Sequence, residues 1–281
     1  MAAAAEVAGR RRGDGLVERA ADGLRGRRRR GVRHARGGAF FADLRWAPSA
    51  GRYGLLALAA ATAAVALGAL TLAAPAGVAA AVFVHAYAPR PLAVACRRAL
   101  ELLAGIPSVV YGFWGLVTLV PLVAKLGGGA GACLLTATLV LALMVLPTVA
   151  LLSEAALAAV ASDQPRGGAA LGLGRWATLR RVVLPAAGPG VASAVLLAGL
   201  RAVGETMAVL MVAGNTIALP GDPFAPVRVL TGHIALEMGY AAGDHRAALF
   251  FCGAVLLTLV AAGVLAADLL ERGRRKAAAG G

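Results

Sequence analysis

An all-α bundle of about five transmembrane helices is the fold class this sequence predicts, on three observations. Of the 281 residues, 59% are hydrophobic and 15% charged, with a mean hydropathy of +0.76, far from the balance of a soluble domain. Apolar stretches of roughly 20 residues or more recur, the length needed to cross a hydrocarbon core. The Arg residues behind the formal charge of +14 cluster at the ends of those stretches and in one N-terminal tract, as they do in cytoplasmic loops. A nucleic-acid partner, which such a charge would suggest for a soluble chain, is not expected.

Residues 1–52 form a separate zone, with Arg10–Arg12 and Arg27–Arg30, few large apolar side chains and no signal-peptide core. A solvated, disordered tail without assigned chemistry is expected there. From Tyr53 to His85 the chain is apolar for about 33 residues, which as one helix would outrun the bilayer core by roughly 20 Å. Pro75 and Gly77 mark a break, giving a span over 53–74 and a continuation that surfaces near Arg90. Further spans fall at about 102–124, 131–152, 190–214 and 247–269, within a transmembrane domain of 53–271 followed by a basic tail, 272–281.

Arg90, Arg97 and Arg98 separate the first two spans, Arg166, Arg175, Arg180 and Arg181 the third and fourth, and Arg272, Arg274, Arg275 and Lys276 follow the fifth. All three regions are expected in the cytoplasm, with 125–130 and 215–246 outside. Alternation also puts the basic N-terminus outside, against the same rule, and a missing span before Tyr53 is the expectation that removes the conflict. Cys96, Cys133 and Cys252 are odd in number and widely spaced, which suits small hydrophobes better than a disulfide framework or a zinc site.

Between the third and fourth spans, Ala169 to Gly190 is too polar to cross but carries a helical stripe of Trp176, Leu179, Val182 and Val183, with Arg175, Arg180 and Arg181 pointing elsewhere. Gly172 and Gly174 permit a tight turn before it; Leu184, Pro185 and Pro189 redirect the chain into the next span. The pattern fits a docking helix and an interfacial helix lying on lipid equally well.

Three strings carry a resemblance. The spacing from Gly172 to Val182, Val183, Leu184 and Pro185 resembles the cytoplasmic EAA loop of ABC importer permeases; ELLAGIPSVVYGFWGL (Glu101 to Leu116) and GLRAVGETMAVLMVAGN (Gly199 to Asn215) resemble the permeases of phosphate importers, and the PstC subunit more than PstA. The similarity runs from about Phe40 to about Leu270. It implies an all-α bundle of the ABC importer permease type, usually of six spans, in a bacterial inner membrane. It implies a PstA-like second permease, a pair of PstB-like ATPase subunits and a periplasmic or lipid-anchored PstS-like phosphate-binding protein as partners. By the same resemblance the loop at about 153–189, with Gly172, Arg175, Trp176, Leu184 and Pro185, couples to the ATPase. Ungapped extension puts Arg166, Gly167 and Gly168 where the loop's Glu-Ala-Ala usually stands. The outer segment, with Pro220, Pro223 and Pro226 before VRVLTGHIALEMG, suggests a loop and a short helix able to meet the phosphate-binding protein.

Arg201 and Glu205 stand four residues apart in an apolar run. An Arg near mid-helix costs about 2.5 to 3.5 kcal/mol on insertion scales, and a carboxylate at i+4 on the same face lowers that cost. The pair either fixes helix packing or marks a pathway. A phosphate route needs a cation, and the Arg fork matches phosphate oxygens; Glu205 would keep binding from becoming too tight, and Thr206 can add a hydroxyl donor or bond back to its own helix. The corresponding Arg and Glu of phosphate permeases are implicated in transport, which the resemblance carries to this pair. In the second span Pro107 breaks the helix near Ser108 and Tyr111, where a simple kink and a gate both fit.

No GxxxxGK[ST] string occurs, so ATP would be bound by a partner, with no cofactor here. GLGRWA lacks the third glycine and the preceding strand of a dinucleotide turn. No HExxH is present, His34, His85, His233 and His245 are scattered, and no catalytic or metal site is expected. Two functions remain: the permease half of an ATP-driven phosphate importer, or a secondary phosphate or anion carrier working without an ATPase. Carriers commonly divide into matching halves, and five spans with one docking loop do not.

Overall fold

The computed structural model describes residues 43–279 except 128 and 162. A first unit ends at Leu56 and a helical unit starts at Ala57. In the first, Trp46–Ala47 (β1) and Arg52–Tyr53 (β2) pair antiparallel around a 3-10 turn, Pro48–Ala50. Trp46 and Tyr53 face each other across the pair and meet edge to face with centroids 5.3 Å apart. The Asp43 carboxylate accepts from the Arg45 N–H at 3.0 Å and from Arg52 Nε at 3.0 Å and Nη2 at 3.2 Å. The backbone donor and the guanidinium together hold its carboxyl below the usual range. This hairpin lies inside the stretch expected to be a disordered tail; residues 1–42 of that stretch, His34 among them, lie outside the described residues.

The helical unit contains α1 (Leu56–Val82), α2 (Arg90–Gly105), α3 (Ser108–Trp114), α4 (Val120–Gly127), α5 (Leu134–Ala158), α6 (Asp163–Ala170) and α7 (Arg175–Thr178). After these come α8 (Leu184–Gly204), α9 (Met207–Val212), α10 (Leu230–Glu237) and α11 (Asp244–Ala279). π-helical turns at Phe83–Tyr87, Gly115–Leu119 and Leu179–Val183 extend α1 and join α3 to α4 and α7 to α8. Among the described residues, five helical runs are long and apolar enough to cross a membrane: Leu56–Tyr87, Ser108–Gly127, Leu134–Ala158, Arg175–Gly204 and Asp244–Leu270.

Several boundaries differ from the sequence expectation. The first span does not break at Pro75 and Gly77, because α1 continues through both. Gly77 has another role: a Cβ there would lie 2.8 Å from the Val149 side chain and 3.0 Å from the Leu146 carbonyl, so glycine permits close approach of α1 to α5. The break expected near Pro107 is present, and it separates two elements instead of kinking one. Ile106 and Pro107 are extended between α2 and α3, as the steric demands of an X-Pro pair favour. The second span therefore starts at Ser108, and α2 precedes it as a largely exposed basic helix. Leu184, Pro185 and Pro189 do not redirect the chain, since the π turn at Leu179–Val183 runs directly into α8, with Pro185 in its first turn, where its missing N–H costs little. The last helix continues to Ala279, across most of 272–281.

Two apolar cores organise the unit. The larger joins Ala61, Val65 and Ala69 of α1 to Val140, Met144 and Val145 of α5, Ala198 and Ala202 of α8, and Ala208, Val209 and Val212 of α9. The smaller gathers Ala81, Leu157, Leu179, Val183 and Ala187 at the end that carries the Arg-rich segments. There Arg97 pairs with Glu154, and Arg175 Nη2 donates to the Ala86 carbonyl at 2.9 Å. At the opposite end the 215–229 loop satisfies free groups: the Leu134 and Leu135 N–H, without partners inside α5, donate to the Ala225 and Pro223 carbonyls at 3.0 and 2.8 Å.

Candidate functional site

α8 presents four faces in its last turns. Ala198 and Ala202 are buried in the larger core, Gly199 lies against Leu70 of α1, and Leu200 abuts Gly263 of α11. Arg201 falls on the remaining face, exposed, and makes no ion pair or hydrogen bond with any described residue. Arg201 stands in the last turn of α8, near the end of the Arg175–Gly204 span, where the helix's free carbonyls favour a cation.

One residue beyond α8 the helix stops. Glu205 is extended, with φ −68° and ψ 133°, so Arg201 and Glu205 do not share the helical face their spacing suggested, and no ion pair joins them. The Glu205 carboxylate instead turns forward, with Oε1 accepting from the Ala208 N–H of α9 at 3.1 Å, as an acidic group at a helix start does. Its backbone carbonyl accepts from Thr231 Oγ1 at 2.7 Å. Thr206 bonds back to the Gly204 carbonyl at 3.4 Å, the ordinary alternative for its hydroxyl.

α3 packs on the far side of this break. A Cβ at Gly112 would lie 2.8 Å from Ala208 Cα and 3.0 Å from Met211 Sδ, so glycine sets the approach of α3 to α9. Tyr111 is buried, and its hydroxyl donates across the Pro107 break to the Leu103 carbonyl at 2.9 Å. Ser108 is half-buried at the start of α3. Glu205 and Tyr111 thus stand on elements that meet at the α3–α9 contact, Arg201 lies one turn before the break, and the Thr206 hydroxyl is bonded within the break.

At the basic end, the stripe Trp176, Leu179, Val182, Val183 splits. Leu179 and Val183 are sealed in the smaller core and unavailable for docking, whereas Trp176 is 58% exposed. Leu171, 84% exposed on the turn after α6, is a second exposed apolar side chain of this loop and was not singled out from the sequence. Gly172, at φ +77°, shapes the turn; Arg175 is spent on Ala86, Leu184 is half-buried and Pro185 exposed.

Two of the four histidines, His233 and His245, come together around Glu237, while His85 lies apart in the π turn after α1. Glu237, 7% exposed, accepts from Arg228 Nη1 at 3.1 Å through Oε1 and pairs with His245 Nε2 at 2.8 Å through Oε2, while His233 Nδ1 lies 3.6 Å from Oε1. Burial of the His233 ring, opposed by the Glu237 charge and reinforced by Arg228 and His245, brings its pKa down to about 4. Helical periodicity places His233 and Glu237 on one face of α10, but no local signal ties that face to Arg228 and His245.

Residues 73–276 match the family of binding-protein-dependent transport system inner membrane components. The chain belongs to this family. It is 41% identical over 225 residues to the "Probable ABC transporter permease protein YqgH" of Bacillus subtilis, covering 78% of this chain and 73% of the relative. It is 33% identical over 244 residues to the "Phosphate transport system permease protein PstC" of Mesorhizobium japonicum, covering 79% and 75%. A chain of the inward-facing MetNI methionine ABC transporter superposes with a TM-score of 0.59 at 20% identity, over 76% of this chain and 93% of that one, a likeness of fold. The protein is accordingly a multi-pass membrane permease, a transport subunit and not an enzyme. Its work calls for an ATPase partner and a substrate-binding protein, and the carrier acting alone is set aside.

Proposed function

We propose that this permease forms half of the translocation pathway of an ATP-driven inorganic phosphate importer in a bacterial inner membrane, beside a PstA-like second permease. A pair of PstB-like ATPase subunits and a PstS-like phosphate-binding protein complete the complex. The observation that carries the reading is Arg201, an exposed guanidinium without a partner among the described residues, one turn before a helix break in an apolar span. Its planar fork offers a passing phosphate two parallel donors. Glu205 limits how long the anion stays. Thr206 is the weaker member, since its hydroxyl is already bonded to Gly204. The break at Pro107, spanned by the Tyr111 hydroxyl bond to Leu103, is where the route narrows and opens.

The basic end faces the cytoplasm in this reading. Leu171 and Trp176 enter a groove of the ATPase, and Gly172, Arg175, Leu184 and Pro185 hold the turn that presents them. Affinity purification in mild detergent tests the assembly: the ATPase and the second permease should co-purify, and a cysteine at Ala177 should crosslink to the ATPase in at least one nucleotide state. Recovery of the permease without an ATPase, and no crosslink in any nucleotide state, would sink the coupling assignment.

A further inference from the structure

Each flank of the helix break is held by the same short element, α10. At its start the Leu230 N–H donates to Thr62 Oγ1 of α1 at 2.9 Å, and Thr62 in turn donates to the Leu58 carbonyl at 2.7 Å, so that end is fixed to the first span. The next residue, Thr231, donates to the Glu205 carbonyl at 2.7 Å, one of the last carbonyls of α8, which have no partner within the helix. At its other end Glu237 receives Arg228, whose Nε also donates at 2.7 Å to the Asn215 carbonyl just past α9. Asn215 itself is left-handed, at φ +54°, and held by its Nδ2 bond to the Leu210 carbonyl at 2.7 Å. His245 ties Glu237 to the first turn of α11. α10 therefore holds the residue just past α8 directly and, through Arg228, the turn that closes α9.

We propose that Thr231 is a positioning residue for transport: its bond to the Glu205 carbonyl fixes the break that aims Glu205 at the passing anion. This rests on the reading of Arg201 as the pathway cation. Without the Thr231 donor, the Glu205 carbonyl is free to turn, ψ at Glu205 is less tightly set, and the Glu205 cap on Ala208 is weakened. A preorganised donor is worth more than one that must be gathered at each passage.

The test uses the complete complex in proteoliposomes, with ATP inside and phosphate-loaded binding protein outside. It measures phosphate moved per ATP hydrolysed for each assembled complex. Thr231→Val keeps the side-chain shape and removes the donor. The ratio should fall about five- to tenfold, the population factor that one net hydrogen bond of ordinary strength represents. Assembly and ATP hydrolysis should hold, and Thr231→Ser should restore the ratio. An unchanged ratio in Thr231→Val overturns the assignment. So does a loss of assembled complex with a normal ratio in what remains, which would make the bond purely structural. Arg201→Gln in the same assay separates the two readings. If it transports normally, the pathway reading fails; if it is dead while Thr231→Val is normal, only the positioning role fails.

Discussion

Arg201→Gln abolishes phosphate uptake while leaving the permease folded, assembled and bound to a partner that still binds ATP. The expectation follows from what Arg201 does not touch. With no ion pair to Glu205, the change strands no buried countercharge, and the turns of α8 around it are held by Ala198 and Ala202 in the larger core. Glu205→Gln is the informative companion, since an amide oxygen can still accept from the Ala208 N–H and so preserves the cap while removing the charge. Uptake should fall there as well. Glu205→Ala loses the cap too, at about 1 kcal/mol. Uptake and assembly measured together on Arg201→Gln, Glu205→Gln and the double Leu variant decide the matter. Dead uptake with full assembly keeps Arg201 in the pathway, whereas lost assembly restored by the double variant, with uptake restored, would return it to a packing role.

The second large effect lies at α10. Glu237→Leu strands the mostly buried Arg228 and breaks the tie to His245, at a cost of roughly 3 to 5 kcal/mol, visible as a lower melting temperature and yield of the detergent-solubilised complex. His233 adds a pH dependence of defined sign. Its ring faces Glu237 on its own helix, Arg228 on the preceding loop and His245 on α11, and it is held neutral with its pKa down at about 4, against about 6.5 when unfolded. Between those values the unfolded chain binds the extra proton, so the contribution of the neutral ring is complete above about 6.5 and is lost as pH falls towards 4. The melting temperature should drop across that window, and less steeply in His233→Leu. Equal slopes in the two proteins would remove His233 from the effect.

What was legible in the sequence was what composition and length carry: the five spans, the break at Pro107 and the misplaced-looking charge of Arg201. Placement of α10 against both flanks of the helix break was not legible, because the bonds from Leu230 to Thr62 and from Thr231 to Glu205 cross long stretches of chain and leave no periodic trace. Proline misled three times, the third being Pro189 in the interior of α8. Pro75 sits inside an unbroken helix, and Pro185 in the first turn of one, where its missing N–H costs little. Trp176 and Val183 share a pattern yet part in the fold, since the amphipathic stripe cannot say which of its residues a local core has already covered. The i, i+4 spacing of Arg201 and Glu205 assumed a continuous helix, and Glu205 turns out of it to cap α9.

If this permease conducts phosphate at the expense of ATP hydrolysed by a partner, the flux itself can be followed directly. Complex purified through this chain is placed in proteoliposomes with ATP inside and phosphate-loaded binding protein outside, and radiolabelled phosphate is followed with time. Phosphate should accumulate only with ATP and the binding protein present, should do so after collapse of proton and sodium gradients, and should not accumulate in Arg201→Gln. Accumulation driven by an ion gradient without ATP, or ATP-driven uptake of another solute with phosphate excluded, would contradict it.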